Sequence, residues 1–218
     1  DDIFNVSPFS PAYQRLGTAE VELIGDDGAK TKLWEDGVNI NIQKNGELLD
    51  WQREVLTSVD LITTTTPYLA NLYSEYAPTA VLPDMVDLQL WKAVKTKYPE
   101  PYLRLGWRGG ESHYEDLIYV KDVIKTLMER HPNLKLVMSG YCPKGLTRHL
   151  PRERVESYPF MGNVAYPWHM MALGIDIAFY PWKPIPFNKG KNNLAWQEWS
   201  AMAVPGVYPS LYYYTENV

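Results

Sequence analysis

An α/β protein of two domains is what this sequence predicts, the second domain a doubly wound parallel sheet and the first incomplete. Three observations carry that prediction. Short continuous apolar runs such as LKLVM and IDIAFY read as strands covered on both faces. These runs alternate with stretches of helical periodicity, which implies parallel strands joined by crossover helices. Finally, Pro83-Asp84-Met85-Val86-Asp87 and Tyr98-Pro99-Glu100-Pro101 bracket a connecting segment within 84–100, so the domains are predicted as 1–90 and 91–218.

Along the chain, Glu20–Ile24 and Lys30–Trp34 form a predicted hairpin around Asp26-Asp27-Gly28, because Asp-Gly supplies the positive φ of such turns. Lys44-Asn45-Gly46 reads as a second tight turn. A helix is then predicted from Leu48 to Ser58, a strand at Asp60–Thr64, a helix from Pro67 to Tyr76 and a strand at Ala80–Leu82. The second domain follows with a strand at Leu103–Trp107, a helix at Glu115–Arg130, and strands at Lys135–Ser139 and Val155–Tyr158. A helix from Trp168 to Leu173, a strand at Ile175–Tyr180 and a helix at Asn192–Met202 complete it. Ser112-His113-Tyr114-Glu115 has the spacing of a capping box at the start of its first helix. The chain opens without a Met and closes on Glu216-Asn217-Val218 after a predicted strand and turn, so a fragment cut at both ends is expected.

Composition narrows the function. The 218 residues are 45% hydrophobic and 22% charged, which is a folded chain rather than a disordered one. Net charge is -5, and the 21 Lys and Arg are scattered, so nucleic-acid binding is not expected. No apolar run has the roughly 18 residues of a membrane span, and the sequence shows no signal-peptide pattern. The single cysteine, Cys142, excludes an internal disulfide and fits a reducing compartment, so a cytoplasmic location is expected. His113, His131, His149 and His169 show no metal-ligand spacing, so no metal site is predicted. GxSxG, Walker A and HExxH patterns are absent.

Two segments have the character of a ligand site. In LRLGWRGGESHYEDL, Gly109 and Gly110 allow close approach of a ligand to the backbone before a helix N-terminus. Arg108 stands at the carboxyl end of the strand, where open α/β sheets bind ligands, and its guanidinium can grip phosphate bidentately. The plainer alternative for Arg108 is a surface salt bridge to Glu111 or Asp116. His113 is either a phosphate donor or a solvated residue of the helix entrance. In FNKGKNNLAWQEWSAMAVP, Lys191 stands beside a helix start near Asn192, and Glu198 lies about two turns in at ~3.6 residues per turn. A carboxylate near a buried face needs a partner, and a ribose diol or a nearby lysine would serve. Asn188, Asn192 and Asn193 are neutral donors to sugar hydroxyls or loop and cap residues. Trp168 flanks a nucleobase or packs.

VDLITTTTPYLANLYSEYAPTAVLPDMVDLQLW, LRLGWRGGESHYEDL, LKLVMSGY and IDIAFYPWKPIPFNKGKNNLAWQEWSAMAVPGVYPS together resemble GT-B glycosyltransferases of the group 1, family 4-like type. The resemblance spans Val59 to Ser210. It implies two Rossmann-like domains, the C-terminal one holding a nucleoside-diphosphate sugar and the N-terminal one a glycan, lipid or protein acceptor. It further implies that Arg108 and Lys191 neutralise the donor diphosphate, that Glu198 takes the ribose hydroxyls, and that the Gly162–Trp168 loop lies along the base. Transfer is expected without a metal or other cofactor and with retention. The first glutamate of the family's paired motif has no counterpart in PIPFNKGKNNL, and the acceptor-side residues of such enzymes would lie upstream of Asp1. Peripheral membrane contact through parts outside this sequence stays open. So do two alternatives, a GT-B nucleotide-sugar epimerase and a nucleotide-sugar-binding module without turnover.

Overall fold

A computed structural model describes residues 2–91, 96, 98–99 and 101–210. The chain divides into two compact units, Asp1–Pro83 with Ile185–Lys191, and Asp84–Pro184 with Asn192–Val218. The closing strand and turn expected before Glu216 lie outside the described residues.

The first unit begins with α1 (Tyr13–Leu16), which helical periodicity did not reveal. Strands β1 (Glu22–Ile24) and β2 (Lys30–Lys32) pair antiparallel, with Gly28 at φ +78° in the turn, as Asp27-Gly28 requires. Helix α2 (Ile42–Thr57) starts well before Leu48 and absorbs the tight turn expected at Lys44-Asn45-Gly46. Three side-chain hydrogen bonds explain that correction. Asn41 caps the helix, its side chain accepting from the Lys44 N–H at 2.9 Å. The buried Asn45 amide donates to the carbonyls of Gln14 and Gly17 at 3.1 and 2.8 Å, satisfying the chain end of α1 rather than making a turn of its own. Strand β3 (Ile62–Thr64), helix α3 (Pro67–Tyr73) and strand β4 (Thr79–Val81) then form a βαβ unit with the two strands parallel. Thr66 caps α3 by accepting from Leu69 N–H at 3.2 Å, with Pro67 at the first helical position.

The second unit holds the main sheet. Strand β5 (Leu103–Gly109) leads through a 3-10 turn at Glu111–His113 into α4 (Tyr114–Tyr119) and α5 (Lys121–Arg130). Strand β6 (Leu134–Gly140), α6 (Lys144–Thr147), a 3-10 turn at Arg152–Arg154, β7 (Val155–Tyr158), α7 (Tyr166–Ala172) and β8 (Ile177–Phe179) follow. The chain next forms α8 (Pro186–Lys189), which groups with the first unit. It returns through α9 (Leu194–Ala201) and β9 (Gly206–Val207). The five strands are all parallel in the order β7-β6-β5-β8-β9, so the order reverses between β5 and β8. That is a doubly wound α/β sheet. Its central strands are covered on both faces, with Trp107, Leu136, Val137 and Met138 fully buried.

The single helix expected over Glu115–Arg130 is two, because Val120 leaves the helical well at φ -102°, ψ 7°. Each piece has its own anchor. Asp116 and Leu117 are buried in α4, Ile124 and Met128 in α5. The expected capping box does not form. His113, not Ser112, precedes α4 and makes no side-chain cap, and Glu115 pairs with Lys183 Nζ at 3.0 Å. The helix expected from Asn192 begins at Leu194, whose N–H donates to Asn192 Oδ1 at 3.1 Å.

Candidate functional site

Strands β5 and β6 end in register, Arg108 opposite Ser139 and Gly109 opposite Gly140. The close is tight. The Tyr141 N–H donates to Gly109 O at 2.9 Å, and a Cβ on Gly140 would stand 2.3 Å from that same oxygen. Gly140 also sits at φ +96°, so only glycine fits there without strain. Beyond these strand ends, at the carboxyl edge where doubly wound sheets bind ligands, lies a cavity of about 420 Å³. Its polar lining comes from Arg108, Asp87, Ser139, Asn163, Tyr166 and Glu198, and much of the rest is apolar, including Val86, Leu90, Trp91, Met161 and Leu194.

The charged centre of this cavity is one ion pair. Arg108 Nη2 lies 2.5 Å from Glu198 Oε2, with the two side chains 21% and 7% exposed. The Tyr166 hydroxyl donates to the same oxygen at 3.1 Å, so both bonds fall on Oε2. The guanidinium carbon stands 5.6 Å from the Tyr180 ring centroid and 6.0 Å from that of Tyr166, and Tyr180 OH donates to Arg108 O at 2.6 Å. Burial pushes the Glu198 carboxyl above its ordinary range, with Arg108 and the Tyr166 hydroxyl pulling against it. Burial likewise raises the Tyr180 phenol, to about 12. Arg108 Nε is buried and has no hydrogen-bond partner among the described residues. The arrangement is a largely buried guanidinium whose charge is balanced by one carboxylate oxygen and whose side chain lines a ligand-sized space.

Ser139 of the cavity lining holds its Oγ 3.0 Å from His169 Nε2, and burial lowers the imidazole's proton affinity. Neither Ser139 nor Tyr166 stood out in the sequence. Tyr166 lies inside the Gly162–Trp168 loop, but its spacing there did not separate it from Trp168.

Of the residues singled out from sequence, Arg108, Gly109 and Glu198 line this one cavity. Gly110 precedes the 3-10 turn. His113 is buried, its Nδ1 2.8 Å from Asp116 Oδ2 and its ring stacked on Trp182 at 6.0 Å, away from the cavity lining. Trp168 is 60% exposed and does not line the cavity, although Asn163, Tyr166 and Pro167 of the same stretch do. Asn192 bonds the Asp84 carboxylate, and Gln197 Nε2 donates to Asp84 O at 3.0 Å and to Asn193 Oδ1 at 2.9 Å. Asn188 and Lys191 belong to the first unit, where Asn188 is buried and the Lys191 ammonium stands 4.3 Å from the Phe187 ring centroid. Among the described residues no group of three His, Cys, Asp or Glu is placed to hold a metal ion, and no helix is long and apolar enough to cross a membrane.

No protein-family model matches this chain, and no curated protein does. A solved structure supports a shared fold. An α,α-trehalose 6-phosphate synthase from Burkholderia multivorans superposes with a TM-score of 0.51 at 10% identity, over 80% of this chain and 48% of that one. A UDP-forming α,α-trehalose-phosphate synthase from Burkholderia xenovorans gives 0.49 at 12% identity, over 73% and 48%. The Glycosylation Associate Protein (Gap123) complex from Streptococcus agalactiae gives 0.41 at 11% identity, over 82% and 38%. The chain therefore spans about half the length of either synthase. At these identities the likeness is one of fold.

Proposed function

We propose that this chain is part of a GT-B glycosyltransferase that moves a sugar from a nucleoside-diphosphate sugar to a glycan, lipid or protein acceptor. The observation that carries the reading is the cavity at the carboxyl edge of the five-stranded parallel sheet, with the buried Arg108–Glu198 pair in its lining. Its fold, shared with a trehalose 6-phosphate synthase, and its sequence resemblance to GT-B transferases point the same way. In this reading the guanidinium offsets charge that grows on the departing diphosphate. A donor held rigid in a dry site is worth more than the same donor in water. Glu198 Oε2 is engaged by Arg108 and Tyr166, and Oε1 accepts a ribose hydroxyl. Transfer proceeds with retention and without a metal ion. The proposal rests on Arg108, Gly109, Tyr166 and Glu198. Gly110, His113, Trp168, Asn188, Lys191 and Asn192 carry none of it.

Two observations favour a second reading, a nucleotide-sugar-binding module without turnover: Glu198 already balances the Arg108 charge, and much of the lining is apolar. Calorimetry with UDP and GDP tests the site shared by both. Arg108→Met should weaken either ligand by about 10- to 100-fold, since a charge-assisted bond contributes about 1.5–3 kcal/mol, and should leave the free nucleoside unaffected. Equal diphosphate affinity in parent and variant would remove the proposal. Release of nucleoside diphosphate from a donor sugar then separates transferase from module.

A further inference from the structure

We infer that the second unit carries an anion site on its helical flank, suited to phosphate or a phosphate monoester. Lys121 and Lys125 lie one turn apart on α5, and Arg148 and His149 follow directly on α6. With Gly145 and Leu146 they surround a cavity of about 180 Å³ that shares no residue with the cavity at the strand ends. At about 30 Å³ per water, it has room for a tetrahedral anion and part of its hydration shell.

The charge is unusual for this chain. The protein has a net charge of -5, yet three permanent cations border this space and Asp122 is the carboxylate among its lining residues. Lys125 is 3.8 Å from Glu129, a solvated pair worth little. Lys121 and Arg148 make no ion pair among the described residues. Like charges around a shared space repel unless an anion offsets them. Arg148 Nε donates to His149 Nε2 at 2.8 Å, which places the imidazole proton on Nδ1 and leaves both Nη groups of the guanidinium for a bidentate grip. The anion belongs either to a free phosphate compound or to a lipid headgroup.

Inorganic phosphate titrated at constant ionic strength against chloride, followed by amide ¹H–¹⁵N shifts, tests the site. Saturable shifts are expected at Gly145, Leu146 and their neighbours. Lys121→Gln with Arg148→Gln should weaken them at least tenfold, whereas Lys121→Arg, which keeps both charges and the Arg148 fork, should keep them. All four polar side chains are exposed, so these variants keep the fold. Sedimentation with phosphatidylcholine vesicles, plain or carrying phosphatidylinositol 4-phosphate, distinguishes the sources. Capture by the phosphoinositide vesicles that the double variant loses assigns a headgroup, and phosphate binding without capture assigns a soluble phosphate compound. Absence of saturable shifts, or shifts equal in the glutamine variant, overturns the inference.

Discussion

Replacing Glu198 by leucine should destabilise the second unit by about 3 kcal/mol, toward the lower end of the ~3–5 kcal/mol seen when one partner of a buried pair is removed. The lower end applies because Arg108 keeps 21% of its side-chain exposure and so regains some hydration. What remains is a guanidinium near the Tyr166 and Tyr180 rings that has lost its counter-charge at 2.5 Å, with an Nε that has no acceptor among the described residues. The Tyr166 hydroxyl loses its acceptor as well. Removing both charges, in Arg108→Met with Glu198→Leu, should bring stability back to within about 1 kcal/mol of the parent, since replacing a whole buried pair by apolar groups is often neutral. The assay is urea unfolding followed by tryptophan fluorescence, read as a double-mutant cycle. Trp107 and Trp199, each 1% exposed, neighbour the pair in sequence and report its surroundings. A Glu198→Leu cost under about 1 kcal/mol, or a double variant as unstable as the single, would refute the reasoning that these two charges depend on each other.

Gly140→Ala should cost at least about 1–3 kcal/mol, the strain of a side chain at φ +96°, and more if the 2.3 Å approach to Gly109 O is not relieved; chemical denaturation reads it, and a loss under 0.5 kcal/mol, roughly the noise of surface changes, would contradict the described strand closure. Glu156 sets an acid limit. Desolvation acts to raise its carboxyl, but bonds from Arg104, Lys135 and Tyr158 overcome this and hold it at about 2. A depressed folded-state value means stability that is present above the ordinary carboxylate range near 4.5 and is lost as pH falls toward 2. Unfolding midpoints measured from pH 6 to 2 should drop across that window, and Glu156→Gln should flatten the drop.

How far the fold was legible can be judged element by element. LKLVM and IDIAFY announced buried strands because each is a short apolar run, and β6 and β8 lie there. Asp27-Gly28 announced its hairpin because a positive φ is a local demand. The Asn45 turn failed as a reading because the competing use of that side chain, capping off carbonyls of Gln14 and Gly17, is long-range in sequence. The long helix after β5 failed for a similar reason. Asp116 is fixed by the Lys183 N–H at 2.8 Å, a contact from far along the chain that periodicity does not encode.

What the sequence determined alone is therefore the alternation of strands and helices, and with it the parallel sheet and the location of Arg108 at a strand end. Only the tertiary structure decided what surrounds that arginine. The carboxylate that balances it stands on α9, the phenol that shares that carboxylate on α7, and the rings beside it on α7 and just beyond β8. Periodicity and turn chemistry act between residues close in the chain, so they can be read from it. Charge balance and desolvation are summed over whatever the folded backbone brings within a few ångströms, and an arginine's codon neighbours do not state its partners.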